Sequence, residues 1–445
     1  MEQTIQQFLT QADENWRFSS VVKDNFIALY TIARHDKSLL EGAPLASIMR
    51  QLISIESKPG GPYYSSFSNK DHGAPKTFEI ETNTAIARFL GLYDIELPAV
   101  TAFLGGKTFI VQDSVVKKSS TTMEEKKMLR SIRAAIKKRV GGCSSEVRQL
   151  AVAVIEKTIK GNTDKQMSLM SYYMVQAIGD KKRNIPTSTI VDMSVANIMF
   201  WTAFIIYDDF WDEDEAADTR LLPIANLFAR SYIDYFLNIL PVKSGFRRFF
   251  HGLMDDLDAA NVWETSRCRA TREGDIFVVP EKLPSYGNYI HKYRAASGHV
   301  LGPVAVLCMS GHAIGSVEVK KCIAYFQHYL IAMQLNDDMH DWEEDLHRGH
   351  ISTAVAQLLA DVGKKELNIV LDIDELRKTF WFVTLPKLAK KALSHTEASR
   401  DALYSMKSIS DMAPLEQFIR YPERAAREAL ESQKQSVEFL ERFAQ

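Results

Sequence analysis

Two stretches of this 445-residue chain carry aspartates at spacings that suit metal and phosphate chemistry. One reads Phe200-Trp-Thr-Ala-Phe-Ile-Ile-Tyr-Asp-Asp-Phe-Trp-Asp212, the other Met333-Gln-Leu-Asn-Asp-Asp-Met-His-Asp-Trp-Glu-Glu-Asp345. On a helix, residues four apart share a face, so Asp208 and Asp212 stack with Asp209 beside them, and Asp337, Asp341 and Asp345 form one stripe. Like charges stacked in this way repel, and more strongly when partly buried. They call for a counter-charge. A hard divalent cation with oxygen preference supplies one, and Mg2+ takes only one or two carboxylates before filling its octahedron with water and phosphate oxygens. Two acid faces opposed across a cavity would therefore suit a bound diphosphate with several Mg2+ ions. A solvated acidic helix end is the plainer reading of either stretch alone. Its repetition as DDxxD, each time after an apolar run, argues against that reading for the pair.

The elements that position these acids are themselves apolar. Met199 to Tyr207 holds no charge, and Tyr329-Leu-Ile-Ala-Met leads into the second stretch. Such runs belong to helices buried on nearly all sides. From about residue 145 the pattern is one of long amphipathic or apolar helical segments, from 145–160 through 189–211 and 317–345 to 373–394, 396–408 and 414–442. Strand-like alternation is scarce, and no repeat of about 20–50 residues is visible. Gly and Pro together make about 8% of the chain, below an average of about 12%. The pattern predicts an all-α architecture with a large core, over 141–445, preceded by a mostly helical accessory region over 1–140. Within that region 16–55 reads as helical, 58–76 as a loop rich in Gly, Pro and Ser, 107–112 as a short strand and 117–127 as a polar connection.

Composition removes several classes of function. The formal net charge of −2 argues against a bulk electrostatic grip on nucleic acid or anionic lipid. Cys143, Cys268, Cys308 and Cys322 lie far apart, which disfavours a zinc knuckle or a disulfide scaffold and fits a reducing cytosol. The start, MEQTIQQFLTQADENW, lacks the pattern of a signal peptide. Ala295 to Gly315 has no Asp, Glu, Lys or Arg, yet it holds His299, Pro303, His312 and four glycines. A buried helix pair with a break is the expectation there, without stable membrane insertion.

These residues resemble the class I isoprenoid synthases, a superfamily of trans-prenyl diphosphate synthases and class I terpene cyclases. Asp208-Asp-Phe-Trp-Asp212 is similar to its aspartate-rich motif, and Asp337 to Asp345 to its second metal motif; the likeness covers about 175–425. Three further features resemble the cyclase branch. Tyr289-Ile-His-Lys-Tyr-Arg-Ala-Ala-Ser-Gly298 is similar to the segment that holds a diphosphate-sensing arginine, here Arg294, before a helix break at Ser297-Gly298. Arg294 precedes the second motif by an interval close to that family's. Arg420-Tyr421 is similar to its C-terminal Arg-Tyr pair. Departures exist. The paired arginines that follow the first motif in chain-elongating synthases are reduced to Arg220, and their Lys-Thr pair is replaced by Ala296-Ser297. Gly179-Asp-Lys-Lys-Arg-Asn-Ile-Pro186 is nevertheless reminiscent of their isopentenyl diphosphate site. This mixture resembles an atypical fungal group of sesquiterpene cyclases that form humulene for meroterpenoids.

The resemblance implies a class I terpenoid synthase bundle around a central cavity, in which Asp208, Asp209, Asp212, Asp337, Asp341 and Asp345 hold three Mg2+ ions. Arg294, Lys292, Arg348, Arg420 and Tyr421 would contact diphosphate. The expected substrate is a small prenyl diphosphate, farnesyl diphosphate first, and helical synthases of this kind often pair as homodimers. An allylic cation reacts with any water present, so its pocket must be dry and electron-rich. Trp201 and Phe204, one or two turns before Asp208, and Tyr329 and Met333, before Asp337, are the candidate pocket residues; a packed core is the alternative for each. A chain-elongating prenyl transferase, a helical scaffold and a helical nucleotide pyrophosphohydrolase also remain open.

Overall fold

The computed structural model describes residues 121–162, 165–179, 185–211 and 217–444, together with 37–40, 43–55 and isolated positions before 121. Side chains beyond 434 lie outside the described set, as do Asp212 and the predicted strand at 107–112. The chain divides into two compact units, Met1–Val115 with Leu430–Gln445, and Val116–Ala429. In the first, helix α1 (Ala43–Ser54) buries Ile48 and Leu52. Asn83 ties the backbone of Tyr63 from both sides, accepting from its N–H at 2.8 Å and donating to its carbonyl at 3.0 Å.

The second unit is an all-α bundle. Its helices are α2 (Met123–Val140), α3 (Ser145–Gly161), α4 (Gln166–Ile178), α5 (Thr187–Trp211), α6 (Leu222–Ile239) and α7 (Phe246–Arg267). After these come α8 (Ile290–Ala296), α9 (Leu301–Met309), α10 (Val317–Arg348), α11 (Thr353–Val362), α12 (Ile373–Thr379) and α13 (Leu385–Tyr404), and then α14 (Ala413–Ala444), whose residues up to Ala429 belong to this unit. Three-residue strands at Thr271–Glu273, Ile276–Val278 and Glu366–Asn368 form a small antiparallel sheet. They are too short to show alternation in sequence.

Two differences from the sequence reading have physical causes. Residues 123–127, expected as a connection, begin α2, because Thr122 and Glu125 cap each other's backbone in a reciprocal box. The segments 373–394 and 396–408 are instead one run from 373 to 404, interrupted at Phe380–Thr384 by a π turn. Pro386 explains the widening, since its ring displaces the carbonyl four residues back. The buried pair with a break is present: α8 and α9 are joined by a 3-10 turn at Ser297–Val300. Helix α5 is the one described helix long and apolar enough to cross a membrane, and 72% of its apolar window is buried inside the protein.

That burial defines the core. Helix α5 is enclosed by α2, α3, α4 and α6, while α10 packs against α13 on another side. The turn Ser297–Val300 sits between them, touched by α4, α5, α7, α8, α9 and α10. Gly298 is needed there, because a Cβ would overlap the Phe200 ring at Cε1 and Cζ. Phe200 in turn stands edge-on to Tyr232, with centroids 5.0 Å apart.

Candidate active site

The last turns of α5 are not enclosed all round, as the uncharged run suggested. Trp201 and Phe204 are half-buried, Ile205 is 39% exposed, and Asp208 is exposed with Asp209 half-buried beside it. Positions 201, 204, 205 and 208 share one face. On α5, then, one open stripe runs from two aromatic rings through an aliphatic side chain to the first acids. Helix α10 repeats the arrangement: Tyr329 is buried, Met333 is half-buried, and Asp337 and Asp341 are exposed. Tyr329 belongs to the core, its hydroxyl donating to Gln166 Oε1 at 2.7 Å.

Asp337 is reachable by solvent, yet burial, reinforced by the charges of Asp338 and Asp341, pushes its carboxyl up to about 7. Asp341 is also raised, by burial and then by Asp345. Among the described residues neither Asp337 nor Asp341 forms an ion pair.

Beneath these acids lies a charge network that the sequence reading did not anticipate. Lys292 on α8 is 5% exposed, and its Nζ lies 3.2 Å from Glu264 Oε1 and 3.3 Å from Asp338 Oδ1. Glu264 also meets His350 Nε2 at 3.1 Å, and His350 Nδ1 meets Asp345 Oδ1 at 3.2 Å. Asp338 accepts the Thr353 N–H at 2.9 Å and the Thr353 hydroxyl. Burial opposes the charge on both cations. The carboxylates overcome it, holding Lys292 above its ordinary range and raising His350 to about 9. Burial would also raise Glu264, but Lys292 and His350 hold it well below the usual carboxylate range. Two cations thus face three carboxylates, and Asp337 and Asp341 add to the negative surplus as they ionise.

This donor set fits a hard cation. It is all oxygen, negative in excess, and partly desolvated. Among the described residues no group of three or more His, Cys, Asp or Glu side chains could hold a metal ion by itself. An ion there would complete its shell with water or with oxygens of a bound molecule, as Mg2+ does.

The basic candidates are placed unequally. Lys292 is committed to Glu264 and Asp338 and is a neutraliser of the acid segment, not an open phosphate donor. Arg294 is partly exposed, with Asp256 at 3.8 Å. Arg348 pairs with Glu344 one turn back at 2.6 Å. Arg420 is exposed and Tyr421 half-buried on α14, just after Phe418, which is buried against Tyr173 and Tyr329. Ser297 donates to the Arg294 carbonyl at 2.7 Å, and the Gly298 carbonyl accepts the Leu301 N–H within the 3-10 turn. Trp201 stacks on His299 with centroids 4.1 Å apart. The basic run 180–184 and Asp212 lie outside the described residues.

Comparison with solved structures places this architecture. A geranylgeranyl pyrophosphate synthase from Lactobacillus brevis superposes with a TM-score of 0.53 at 15% identity, over 68% of this chain and 96% of its own. A decaprenyl diphosphate synthase from Rhodobacter capsulatus superposes with a TM-score of 0.51 at 12% identity, over 70% of this chain and 99% of its own. The chain has the prenyl diphosphate synthase fold. No family model matches the sequence, and no curated protein does either. Within the prenyl synthase fold, then, the bundle is retained where sequence identity is almost lost. The all-α architecture expected from the helical pattern is the one observed.

Proposed function

We propose that this chain is a Mg2+-dependent class I terpene cyclase. It is a carbon–oxygen lyase that ionises an allylic prenyl diphosphate, farnesyl diphosphate by preference, and closes the cation to a sesquiterpene hydrocarbon such as humulene. The observation that carries this reading is the repeated stripe on the two acid-bearing helices. Trp201, Phe204 and Ile205 lead to Asp208, and Met333 leads to Asp337 and Asp341. A wall that is apolar along its length and anionic at one end complements an apolar tail and a diphosphate head joined by a cation. The fold likeness supports the substrate class, since the two solved neighbours are synthases of isoprenoid diphosphates.

Asp208, Asp209, Asp212, Asp337, Asp341 and Asp345 are the residues that would hold the metal. Bound there, Mg2+ supplies Lewis-acid stabilisation of the charge that grows on the departing diphosphate. Arg294, Arg348, Arg420 and Tyr421 donate hydrogen bonds to that diphosphate, and Arg presents the forked geometry such oxygens favour. Lys292 contributes through its field alone. The rings of Trp201 and Phe204 offer their faces to the allylic cation and keep water from it. Ser297 and Gly298 hold the turn against which Phe200 and Trp201 pack, and so fix the depth of the pocket.

Chain elongation with isopentenyl diphosphate is the second reading, favoured by the activities named for the two neighbours. The test is incubation of purified protein with farnesyl diphosphate and Mg2+, hexane extraction and mass spectrometry. A volatile hydrocarbon formed without isopentenyl diphosphate is the expected result. A longer diphosphate formed only when isopentenyl diphosphate is added would replace cyclisation by elongation, and neither product would remove both.

A further inference from the structure

The two acid segments are joined through a short backbone pairing that belongs to neither. Just after α7, Arg269 pairs with His350 in an isolated antiparallel bridge. The pairing is secured by Ala270 N–H to the Gly349 carbonyl at 2.8 Å and Ile351 N–H to the Cys268 carbonyl at 2.8 Å. Gly349 makes this possible by ending α10 in the left-handed region, at φ 76°.

From this bridge two side chains reach in different directions. The Arg269 guanidinium donates from Nη2 to the carbonyl of Trp211 at 3.0 Å. That carbonyl is one of the last on α5, where intrahelical donors have run out and a cation is favoured. It also belongs to the peptide that precedes Asp212. His350 turns to the second segment, meeting Asp345 at 3.2 Å and Glu264 at 3.1 Å. One arginine side chain, one bridge and one imidazole therefore separate the end of the first acid helix from the last acid of the second.

We propose that the Arg269–His350 bridge is a clamp that sets the spacing of the two acid segments, with Arg269, His350 and Glu264 as positioning residues for a Mg2+–diphosphate pair. The proposal rests on the reading of the site given above. Its physical basis is that carboxylates serving a common anion and its cations must be held within about 0.5 Å of a productive geometry. A histidine bonded between Asp345 and Glu264 removes the rotational freedom of the Asp345 carboxylate. Partners that orient metal-binding side chains in this way are typically worth about 10–100-fold in metal affinity.

The experiment is calorimetric titration of Mg2+ with inorganic pyrophosphate as the probe, on the full chain and on Arg269→Ala, Arg269→Lys, His350→Ala and Arg400→Ala. Arg400 pairs with Glu416 and Glu423 and serves as a salt bridge outside the clamp. The full chain binds the pair, Arg269→Ala and His350→Ala weaken it by about tenfold or more, and Arg269→Lys restores part of the loss through its single ammonium donor. Arg400→Ala lowers the melting temperature and leaves the affinity unchanged. If Arg269→Ala and His350→Ala lower only the melting temperature, as Arg400→Ala does, the clamp is structural and the proposal is overturned. Should Arg269→Ala not fold, Arg269→Lys and His350→Ala decide by the same criterion. A full chain that does not bind pyrophosphate removes the reading of the site itself, and the clamp with it.

Discussion

The two acid segments share a spacing and differ in what surrounds them. Toward the end of α5 the described neighbours include rings: Phe204 and Tyr207 stand 6.4 and 6.1 Å from Trp211, and the Tyr207 hydroxyl donates to Asn226 at 2.9 Å. Around Asp337 they are ions, with Lys292, Glu264, His350 and Asp345 in sequence beneath it. The contrast repeats inside the second segment. Asp337 is open, whereas its neighbour Asp338 is buried on Lys292 and Thr353. The same residue type thus has two employments one position apart, and only the surroundings separate them. The first segment presents charge at the end of an aromatic wall. The second has Lys292 and His350 set among its acids.

The largest expected effect tests the first segment. Asp208→Asn keeps shape and removes charge, so turnover falls by about ten-thousandfold or more, some 5 kcal/mol of barrier, while helicity is unchanged. Steady-state rates with farnesyl diphosphate and far-ultraviolet circular dichroism measure both. Full activity in this variant would strip the first segment of its role and leave the chemistry on one side only.

Next comes the second segment's internal neutralisation. Lys292→Met leaves buried Asp338 without its cation and Glu264 with His350 alone, and removing one partner of such a network costs about 3–5 kcal/mol. Arg348→Met, on the exposed pair with Glu344, costs about 0–1 kcal/mol. Urea unfolding of the two variants gives the difference directly. Equal and small losses would mean that the ions under the second segment do not hold it.

A smaller effect tests the turn between them. Gly298→Ala forces a methyl into the Phe200 ring, and overpacking of this kind costs about 1–3 kcal/mol. Phe200→Leu in the same chain relieves the overlap and recovers part of the melting temperature. A double variant no more stable than Gly298→Ala alone would show that the ring is not what the glycine accommodates.

How much of this was legible in the sequence follows from the range of the interactions. The bundle was, because apolar periodicity is local: 189–211 and 317–345 were expected, and Thr187–Trp211 and Val317–Arg348 are observed. The break at Ser297–Gly298 was too, from glycines and a histidine inside an apolar run. The acid spacings were visible, but not which aspartate of a pair turns inward. Asp338 is buried by Thr353 and Lys292, which lie on other helices. Lys292 read as an open donor because its position after Tyr289-Ile-His carries no sign of Glu264 across the bundle. Glu264, Arg269 and His350 escaped notice for the same reason. Each is a single residue in an unremarkable stretch, and only the bridge at 269 and 350 makes them a unit.

The least effect concerns the imidazole under the aromatic wall. His299 is 4% exposed, its Nδ1 has no hydrogen-bond partner among the described residues, and burial lowers its pKa to about 3. In the unfolded chain an imidazole titrates near 6.5. Above that pH both states are neutral and His299 contributes nothing to the pH dependence. As pH falls below about 6.5 the unfolded chain binds a proton that the folded chain refuses until about 3. Stability is therefore lost on acidification, by roughly 1 kcal/mol at pH 5.5 from this residue alone. His299→Phe keeps a ring for Trp201 to stack on and removes the proton. Urea unfolding at pH 7.5 and 5.5 should show the variant losing roughly 1 kcal/mol less than the parent chain. Equal losses would mean that His299 finds a partner for its proton inside the bundle, and the wall at Trp201 would then be polar where the cyclisation reading needs it dry.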